Sequence, residues 1–281
     1  ELNFFVGNSF FNQNWVSSPA STTARDGLGP TFNARSCSAC HFKDGRGRPP
    51  LFDGENATGF LMRLSIAGTN SNGGPNPHPS YGGQLNNQAN NGIPSEGEVH
   101  INYVNEDHLF PDGETYSLRT PVYSFVNLNF GSLSGAMISP RIGQQMIGLG
   151  LLETINEHDI LANTDEFDIN NDEISGRANY VYDVVEGFAM LGRFGWKANQ
   201  PNLRQQTAEA FLGDIGITTS LFPNENCTSP QNDCINAVNG GLPELSDSSL
   251  GVVELYVSNL AVPARRNFTT SNVKNGKILF S

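Results

Sequence analysis

The residue group best suited to chemistry is the run 37–41, which reads C-x-x-C-H. Two thiols at this spacing can form thioethers with the two vinyl groups of one porphyrin, and the adjacent imidazole can then bind the iron. The segments on both sides are rich in glycine and proline, which lets backbone lie against a flat cofactor. The motif predicts covalent c-type haem on Cys37 and Cys40, with His41 as the proximal iron ligand.

Two other kinds of site use closely spaced cysteines. A structural zinc ion needs two further ligands, and the sequence contains no second Cys pair of this spacing and no His-x-x-x-His run. A thioredoxin-like pair would lie in a βαβ pattern, which the sequence does not show. Haem attachment is therefore favoured over both.

A second pattern places oxygen-bearing side chains on alternate residues. Asp168, Asn170 and Asp172 form a D-x-N-x-D run, which suits a hard cation such as calcium. The run is not an EF-hand, because Glu173 takes the place of the loop glycine and Asn179 that of the final glutamate. The alternative is a solvated acidic turn that binds no metal.

The two remaining cysteines, Cys227 and Cys234, lie on either side of a short polar loop. Because c-type haem is attached outside the bacterial cytoplasm, we expect a periplasmic or otherwise exported protein. Residues 1–3 lack the basic start of a signal peptide, which suggests that a leader is removed. An even leftover pair in an exported protein predicts a disulfide; two free thiols are the alternative.

Composition narrows the possible partners. The chain has 281 residues and a formal net charge of −12, which argues against nucleic acid as a partner. Its apolar runs are shorter than the roughly 20 residues needed to span a membrane. The acidic surface serves solubility or a basic redox partner, and the oligomeric state is not readable from the sequence.

The sequence predicts that helices joined by long loops position these residues. The segment 66–119 is dominated by Gly, Asn, Pro and Ser, with a short β-like piece at 99–104. We therefore expect a mainly α, cytochrome c-like haem domain with long irregular loops and small β pieces. Apolar periodicity and capping residues predict helices over 4–15, 139–155, 201–213, 243–261 and 272–281.

Six motifs spread over nearly the whole chain carry a family resemblance. They lie at 27–50, 81–85 (YGGQL), 139–141 (SPR), 148–153 (GLGLLE), 174–177 (ISGR) and 192–198 (GRFGWKA). Together they resemble the di-haem oxidoreductase family of thiol oxidoreductases and peroxidases. That family is similar to bacterial di-haem cytochrome c peroxidases and to the di-haem enzyme that matures methylamine dehydrogenase.

The resemblance implies roles for individual side chains. In those relatives a Trp lies between the haems, a Gln follows ten residues later, and a catalytic Glu follows about ten beyond it. Trp196 and Gln206 match this spacing, with Leu203 matching a Leu before the Gln. The Glu is missing, so Asp214, eight residues after Gln206, or Glu153 would supply the carboxylate. Considered alone, Trp196 would be a core residue and Gln206 a surface residue of a helix.

The resemblance also implies two domains. We expect residues 1–265 to form the N-terminal haem domain and 266–281 to begin a second cytochrome c-like domain, because a G-K-x-L-F run typically leads into a C-x-x-C-H motif. The second haem is then expected beyond the end of this chain. The other axial ligand of the iron is not assigned among His78, His100, His108, His158, Met62, Met137 and Met146.

The expected function is that of an exported c-type cytochrome, a peroxidase-like di-haem oxidoreductase that reduces peroxide or oxidises a substrate. Its partner would be a redox protein or a small-molecule oxidant. The alternative is a non-enzymatic electron-transfer or haem-binding cytochrome with both axial positions of the iron filled. A third reading, a structural calcium-binding module, requires that haem be absent.

Overall fold

Helix and strand contribute almost equally to the fold. The computed structural model describes residues 1–55, 57 and 59–280, and it is 24% helical and 22% strand, with several sheets. The prediction of a mainly α fold is therefore wrong. Much of the segment expected to be loop folds into antiparallel strands, because its glycine and asparagine turns connect stretches that pair with one another.

The helices lie before residue 45 and after residue 148. Those predicted at 4–15, 201–213, 243–261 and 272–281 are present with bounds that differ by one to four residues, and two begin at side-chain caps. Asn202 accepts a hydrogen bond from the N–H of Gln205, and Ser246 accepts one from that of Ser249. The helices are α1 (Leu2–Asn12), α2 (Cys37–Cys40), α3 (Leu149–Glu153), α4 (Glu157–Leu161), α5 (Leu203–Ala210), α6 (Asn232–Ile235), α7 (Asp247–Ser258) and α8 (Ser271–Phe280), with a 3₁₀ turn at Phe42–Asp44 and a π-helical turn at Phe211–Ile215.

The strands form small antiparallel sheets. β2 is the centre of a three-stranded sheet with β3 and β7 at its edges, whereas β1 pairs with β4, β5 with β6, and β8 with β9. The strands are β1 (Thr31–Phe32), β2 (Phe60–Thr69), β3 (Pro75–Asn76), β4 (Gln88–Ala89), β5 (Glu98–Leu109), β6 (Thr115–Val126), β7 (Met137–Ile142), β8 (Tyr180–Tyr182) and β9 (Ala189–Leu191).

The helix predicted over 139–155 is wrong for its first half. Residues 137–142 form β7, in which Pro140 lies opposite Met62 of β2. Proline is tolerated there because β7 is an edge strand, so its missing N–H breaks no inner ladder. Helix starts only at α3, after Gly148 with a φ of +79°. The Ser-Pro pair that resembles a helix start therefore belongs to a strand edge.

The buried apolar residues form two clusters. Met62 and Leu64 belong to one, which also contains Tyr81 and Leu85. The other is larger and is built from α1, α5, α7 and the π-helical turn, with Phe11, Trp15, Phe211, Leu250 and Tyr256 among its buried members. Because side chains alternate along a strand, Arg63 points to the face of β2 opposite Met62 and Leu64.

The remaining long elements lie at the surface. β5 and β6 pair over their full length, from Glu98 opposite Val126 to Leu109 opposite Thr115, and most of their side chains are exposed. The predicted disulfide between Cys227 and Cys234 is present. Among the helices of the described residues, none has the length and apolar character needed to cross a membrane.

Candidate functional site

The C-x-x-C-H motif folds as a single helical turn. In α2, the N–H of His41 donates a hydrogen bond to the carbonyl of Cys37 at 2.9 Å. Both thiols are free, and Cys40 is buried. Cys37, Cys40 and His41 line the same cavity.

This cavity lies between the larger apolar cluster and the sheet formed by β2 and β7. Its empty space, counted together with the open solvent at its mouth, is about 1290 Å³. Its largely apolar wall suits a large, mainly apolar cofactor that carries a few polar groups. Apolar side chains make up much of the wall: Phe11, Leu61, Ile142, Leu149, Phe194, Leu203, Ile215, Val253 and Val257.

Burial keeps the two thiols protonated. It is the main cause that raises the pKa of Cys37 to about 12, and the Asp214 carboxyl and the Cys40 thiol raise it further. The pKa of Cys40 also rises to about 12, again from burial first and Asp214 second. Such thiols are poor thiolate nucleophiles and poor zinc ligands. The pair therefore does not resemble a redox-active C-x-x-C site.

The imidazole of His41 is oriented by the chain that follows β7. Its Nδ1 lies 2.6 Å from the carbonyl oxygen of Gln144. A carbonyl oxygen only accepts, so Nδ1 carries the proton and Nε2 keeps a free lone pair, as iron-bound histidines require. The backbone at residue 143 can pass this close to the imidazole because the residue is glycine. A Cβ at this position would lie 3.2 Å from Cε1 of His41.

The predicted polar residues Gln206 and Asp214 also line the cavity. Asp214 lies in the π-helical turn, where its Oδ1 accepts a 2.8 Å hydrogen bond from Nε2 of Gln84. Burial raises the pKa of Asp214, and this outweighs the lowering by Gln84, Arg63 and His41. The protonated form of this carboxyl is thus favoured relative to an exposed aspartate.

Glu153, the other carboxylate proposed from the sequence, has a structural position. It accepts a 2.8 Å hydrogen bond from the N–H of Leu203, at the start of α5. It is not among the residues that line the cavity. The described geometry therefore assigns Glu153 to the support of α5 rather than to the cavity wall.

Sequence reasoning missed a second carboxylate, Glu209. Its Oε1 lies 3.0 Å from Nη2 of Arg63, and Gln200 donates a hydrogen bond to its Oε2. Arg63 also donates to Gln84 at 3.2 Å, so a polar chain runs along the wall from Gln200 to Asp214. The sequence did contain a signal for Glu209. It follows Gln206 by three residues, and residues three apart on a helix share one face.

Trp196 lies at the rim of the cavity rather than in a core. It is 47% exposed, and its Nε1 donates a 2.6 Å hydrogen bond to the carbonyl of Ile142. The guanidinium of Arg46 lies 5.4 Å from the centre of the indole ring. The indole is therefore fixed where it reaches both the cavity and the solvent.

The family model described as "Di-haem oxidoreductase, putative peroxidase" matches residues 2–281. The chain belongs to the di-haem oxidoreductase family. The family resemblance read from the sequence motifs is thus confirmed, and membership implies haem binding and an oxidoreductase-type function. Searches of curated proteins and of solved structures found no match.

The residues of the cavity fit the haem of a di-haem oxidoreductase. Two thiols on one turn, an imidazole with a free nitrogen and apolar walls meet its chemical needs. Within 1–55, 57 and 59–280, no group of three His, Cys, Asp or Glu side chains is placed to hold a metal ion. Of the side chains considered as second axial ligand, Met146 lines the cavity.

The side chains of the candidate calcium loop form hydrogen bonds to the backbone of the same loop. Asp168 accepts hydrogen bonds from the N–H groups of Asp172 and Glu173 at 3.0 and 3.1 Å, and Asn170 accepts one from Asp172 at 3.0 Å. Asp168 and Glu173 adopt positive φ values of +50° and +66°. The three predicted oxygen donors thus come together around backbone N–H groups, in an arrangement that an acidic turn also explains.

Proposed function

We propose that the chain is an exported c-type cytochrome of the di-haem oxidoreductase family that reduces peroxide or oxidises a substrate. One arrangement carries the proposal. The free thiols of Cys37 and Cys40 and the available Nε2 of His41 face one apolar cavity, and Gln206 and Asp214 line its polar wall. A haem fixed there would have protein hydrogen-bonding and proton-donating groups in the same enclosure.

Haem, when bound, would supply the one-electron redox chemistry. Reducing hydrogen peroxide to two waters takes two electrons and two protons. The amide of Gln206 is suited to hydrogen-bond the peroxide. Because burial raises the pKa of Asp214, its carboxyl is suited to hold a proton and pass it to the departing oxygen. Gln84 keeps that carboxyl in place through the 2.8 Å hydrogen bond to Oδ1.

Trp196 is the proposed route for electrons. Its indole lies at the cavity rim and is 47% exposed, so a redox partner could reach it from the solvent side. The hydrogen bond to Ile142 and the stacked guanidinium of Arg46 hold the ring in one orientation. A fixed ring between donor and acceptor shortens the distance that an electron must tunnel.

Export is supported by the disulfide between Cys227 and Cys234, since structural disulfides persist in oxidising compartments. Export would also expose the protein to the machinery that attaches c-type haem. We therefore propose the bacterial periplasm, or another extracytoplasmic space, as its location.

The proposal is tested by producing the protein in a bacterial host that matures c-type cytochromes. We expect a mass equal to the chain plus one haem, retained after denaturation, and a pyridine haemochrome spectrum typical of two thioether links. Replacing Cys37 or Cys40 with Ala should weaken covalent attachment. A protein recovered at the apo mass would refute haem attachment.

The competing function, an electron carrier without catalysis, is favoured by one observation: Met146 lines the cavity, where its thioether would be available to a bound haem as a further iron ligand. The ferric spectrum separates the two functions. A six-coordinate, low-spin spectrum that neither cyanide nor peroxide changes would identify a carrier. A response to both ligands would support the peroxidase-type function.

A further inference from the structure

Two arginines lie side by side on the sheet face that lines the cavity. β2 and β7 pair with Leu61 opposite Arg141 and Arg63 opposite Ser139, so Arg63 and Arg141 are diagonal neighbours on one face. Diagonal pairs lie ~7–8 Å apart, within reach of long side chains. Both guanidinium side chains line the cavity.

The two arginines differ in their hydrogen-bond and ion-pair partners. Arg63 forms an ion pair with Glu209 at 3.0 Å and donates a hydrogen bond to Gln84. Among the described residues, Arg141 donates only from Nε, to the Ser139 hydroxyl at 3.0 Å. Among the side chains that the structure describes, no carboxylate lies within ion-pair distance of Arg141 (4.0 Å).

Two guanidinium groups line the cavity, and among the described residues only Arg63 of these two has a carboxylate within ion-pair distance. Burial, followed by the nearby Arg63 cation, lowers the pKa of Arg141, so the two guanidinium groups disfavour each other. Glu209 offsets one of them, and burial favours the neutral form of Asp214. A partly buried cation is costly to leave unpaired, so the arrangement suits a ligand that brings an anionic group.

The segment that contains Arg141 also contacts His41 of the C-x-x-C-H turn. Gln144, whose carbonyl orients His41, follows Arg141 by three residues, which spans about 10 Å of extended chain. One short segment thus holds the imidazole and presents the unpaired guanidinium. A single ligand can contact both, provided that it binds His41 and carries a carboxylate at its periphery.

We propose that Arg141, with Arg63 beside it, binds a propionate carboxylate of the haem tethered at Cys37 and Cys40. This assignment rests on the proposed function, because it requires covalent haem in the cavity. The planar guanidinium fits a carboxylate bidentately. The ion pair would fix the rotation of the porphyrin and the charge beside the iron.

The test compares four holoproteins: the parent, Arg141→Gln, Arg141→Lys and Arg35→Gln. Arg35 is exposed, stacks on Phe32 and does not line the cavity, so its variant removes the same charge elsewhere. Haem content is measured first by the pyridine haemochrome assay. The midpoint potential is then followed from pH 5 to 9, and the propionate bending mode is recorded by resonance Raman spectroscopy.

We expect Arg141→Gln to retain covalent haem with a lower midpoint potential, because loss of a nearby cation stabilises the ferric state. The pH-dependent step of the potential that reports the propionate should move up by about 1 pH unit, since a cation favours the ionised carboxylate. Arg141→Lys should restore most of the potential, and Arg35→Gln should match the parent. His41, Glu209 and Asp214 face the same cavity and are common to all four proteins.

Two results would overturn the assignment while the proposed function stands. One is covalent haem in Arg141→Gln with a potential, a pH profile and a Raman spectrum that match those of Arg35→Gln. The other is an acetate-dependent spectral shift in the parent that Arg141→Gln lacks, because the guanidinium would then be open to free carboxylates. A parent protein without covalent haem would overturn both proposals together.

Discussion

Nδ1 of His41 lies 2.6 Å from the carbonyl oxygen of Gln144, which is 103 residues further along the chain. This contact sets the tautomer of the imidazole and leaves Nε2 available. It depends on the absence of a side chain at Gly143, whose backbone passes within contact distance of the ring. Orientation of the proposed iron ligand is thus decided by a segment distant in sequence from the motif.

Gly143→Ala should displace the imidazole. The new Cβ would lie 3.2 Å from Cε1 of His41 and 3.4 Å from the carbonyl of Cys40, so the ring must shift. We expect a changed ferric spectrum and a loss of roughly 1 kcal/mol in unfolding free energy, typical of overpacking. The matched control is Gly83→Ala, where a Cβ would meet no atom within 4 Å. Equal spectra for the two variants would contradict this role of Gly143.

Asp214→Asn and Gln206→Ala should lower peroxide turnover, by about 100-fold for the loss of the acid, while haem content stays at the parental level. The matched control is Glu153→Gln, which alters a carboxylate that contacts the start of α5 outside the cavity wall. That variant should lose about 1 kcal/mol of stability and keep its turnover. The proposed acid role fails if Asp214→Asn turns over peroxide like the parent.

The buried Glu96 should make stability depend on pH. It accepts 2.6 Å hydrogen bonds from the N–H of Asn86 and from Gln231, yet burial raises its pKa to about 7. The folded state then holds a proton that the unfolded state has already lost. The contribution of Glu96 is therefore present below its unfolded pKa near 4.5 and is lost as pH rises through about 7.

Denaturant unfolding at pH 5 and pH 8 measures this effect. The raised pKa of Glu96 corresponds to a fall of about 3 kcal/mol in the free energy of unfolding as the pH rises from below 4.5 to above 7. Glu96→Gln should remove much of that fall. Glu114→Gln, at an exposed position near the end of the β5–β6 hairpin, is the matched control and should keep the parental pH dependence. If the free energy of unfolding of Glu96→Gln depends on pH as that of the parent does, other groups cause the dependence.

Calcium should raise the melting temperature if Asp168, Asn170 and Asp172 bind it. A ligand at a hundred times its Kd stabilises the folded state by about 2.7 kcal/mol, which chelator would reverse. Asp172→Asn should abolish the shift, whereas Asp159→Asn, an exposed carboxylate in α4, should not. If added calcium leaves the melting temperature unchanged, the loop is an acidic turn without a metal.

The sequence by itself was sufficient where the determining interactions are local. Cys37, Cys40 and His41 lie on one turn, so their spacing places them on the same wall without knowledge of the fold. Helices α1, α5, α7 and α8 were predictable from apolar periodicity, and Asn202 caps α5 through its neighbour Gln205. The eight-residue disulfide loop was readable for the same reason.

Only the tertiary structure decided the features that depend on distant partners. Pro140 resembles a helix start, yet pairing with Met62 makes it part of an edge strand. Arg63 and Glu209 are 146 residues apart, and the fold brings their side chains together across the cavity wall. Local propensity carries no information on such pairing, because its free energy comes from contacts that exist only after the chain has folded.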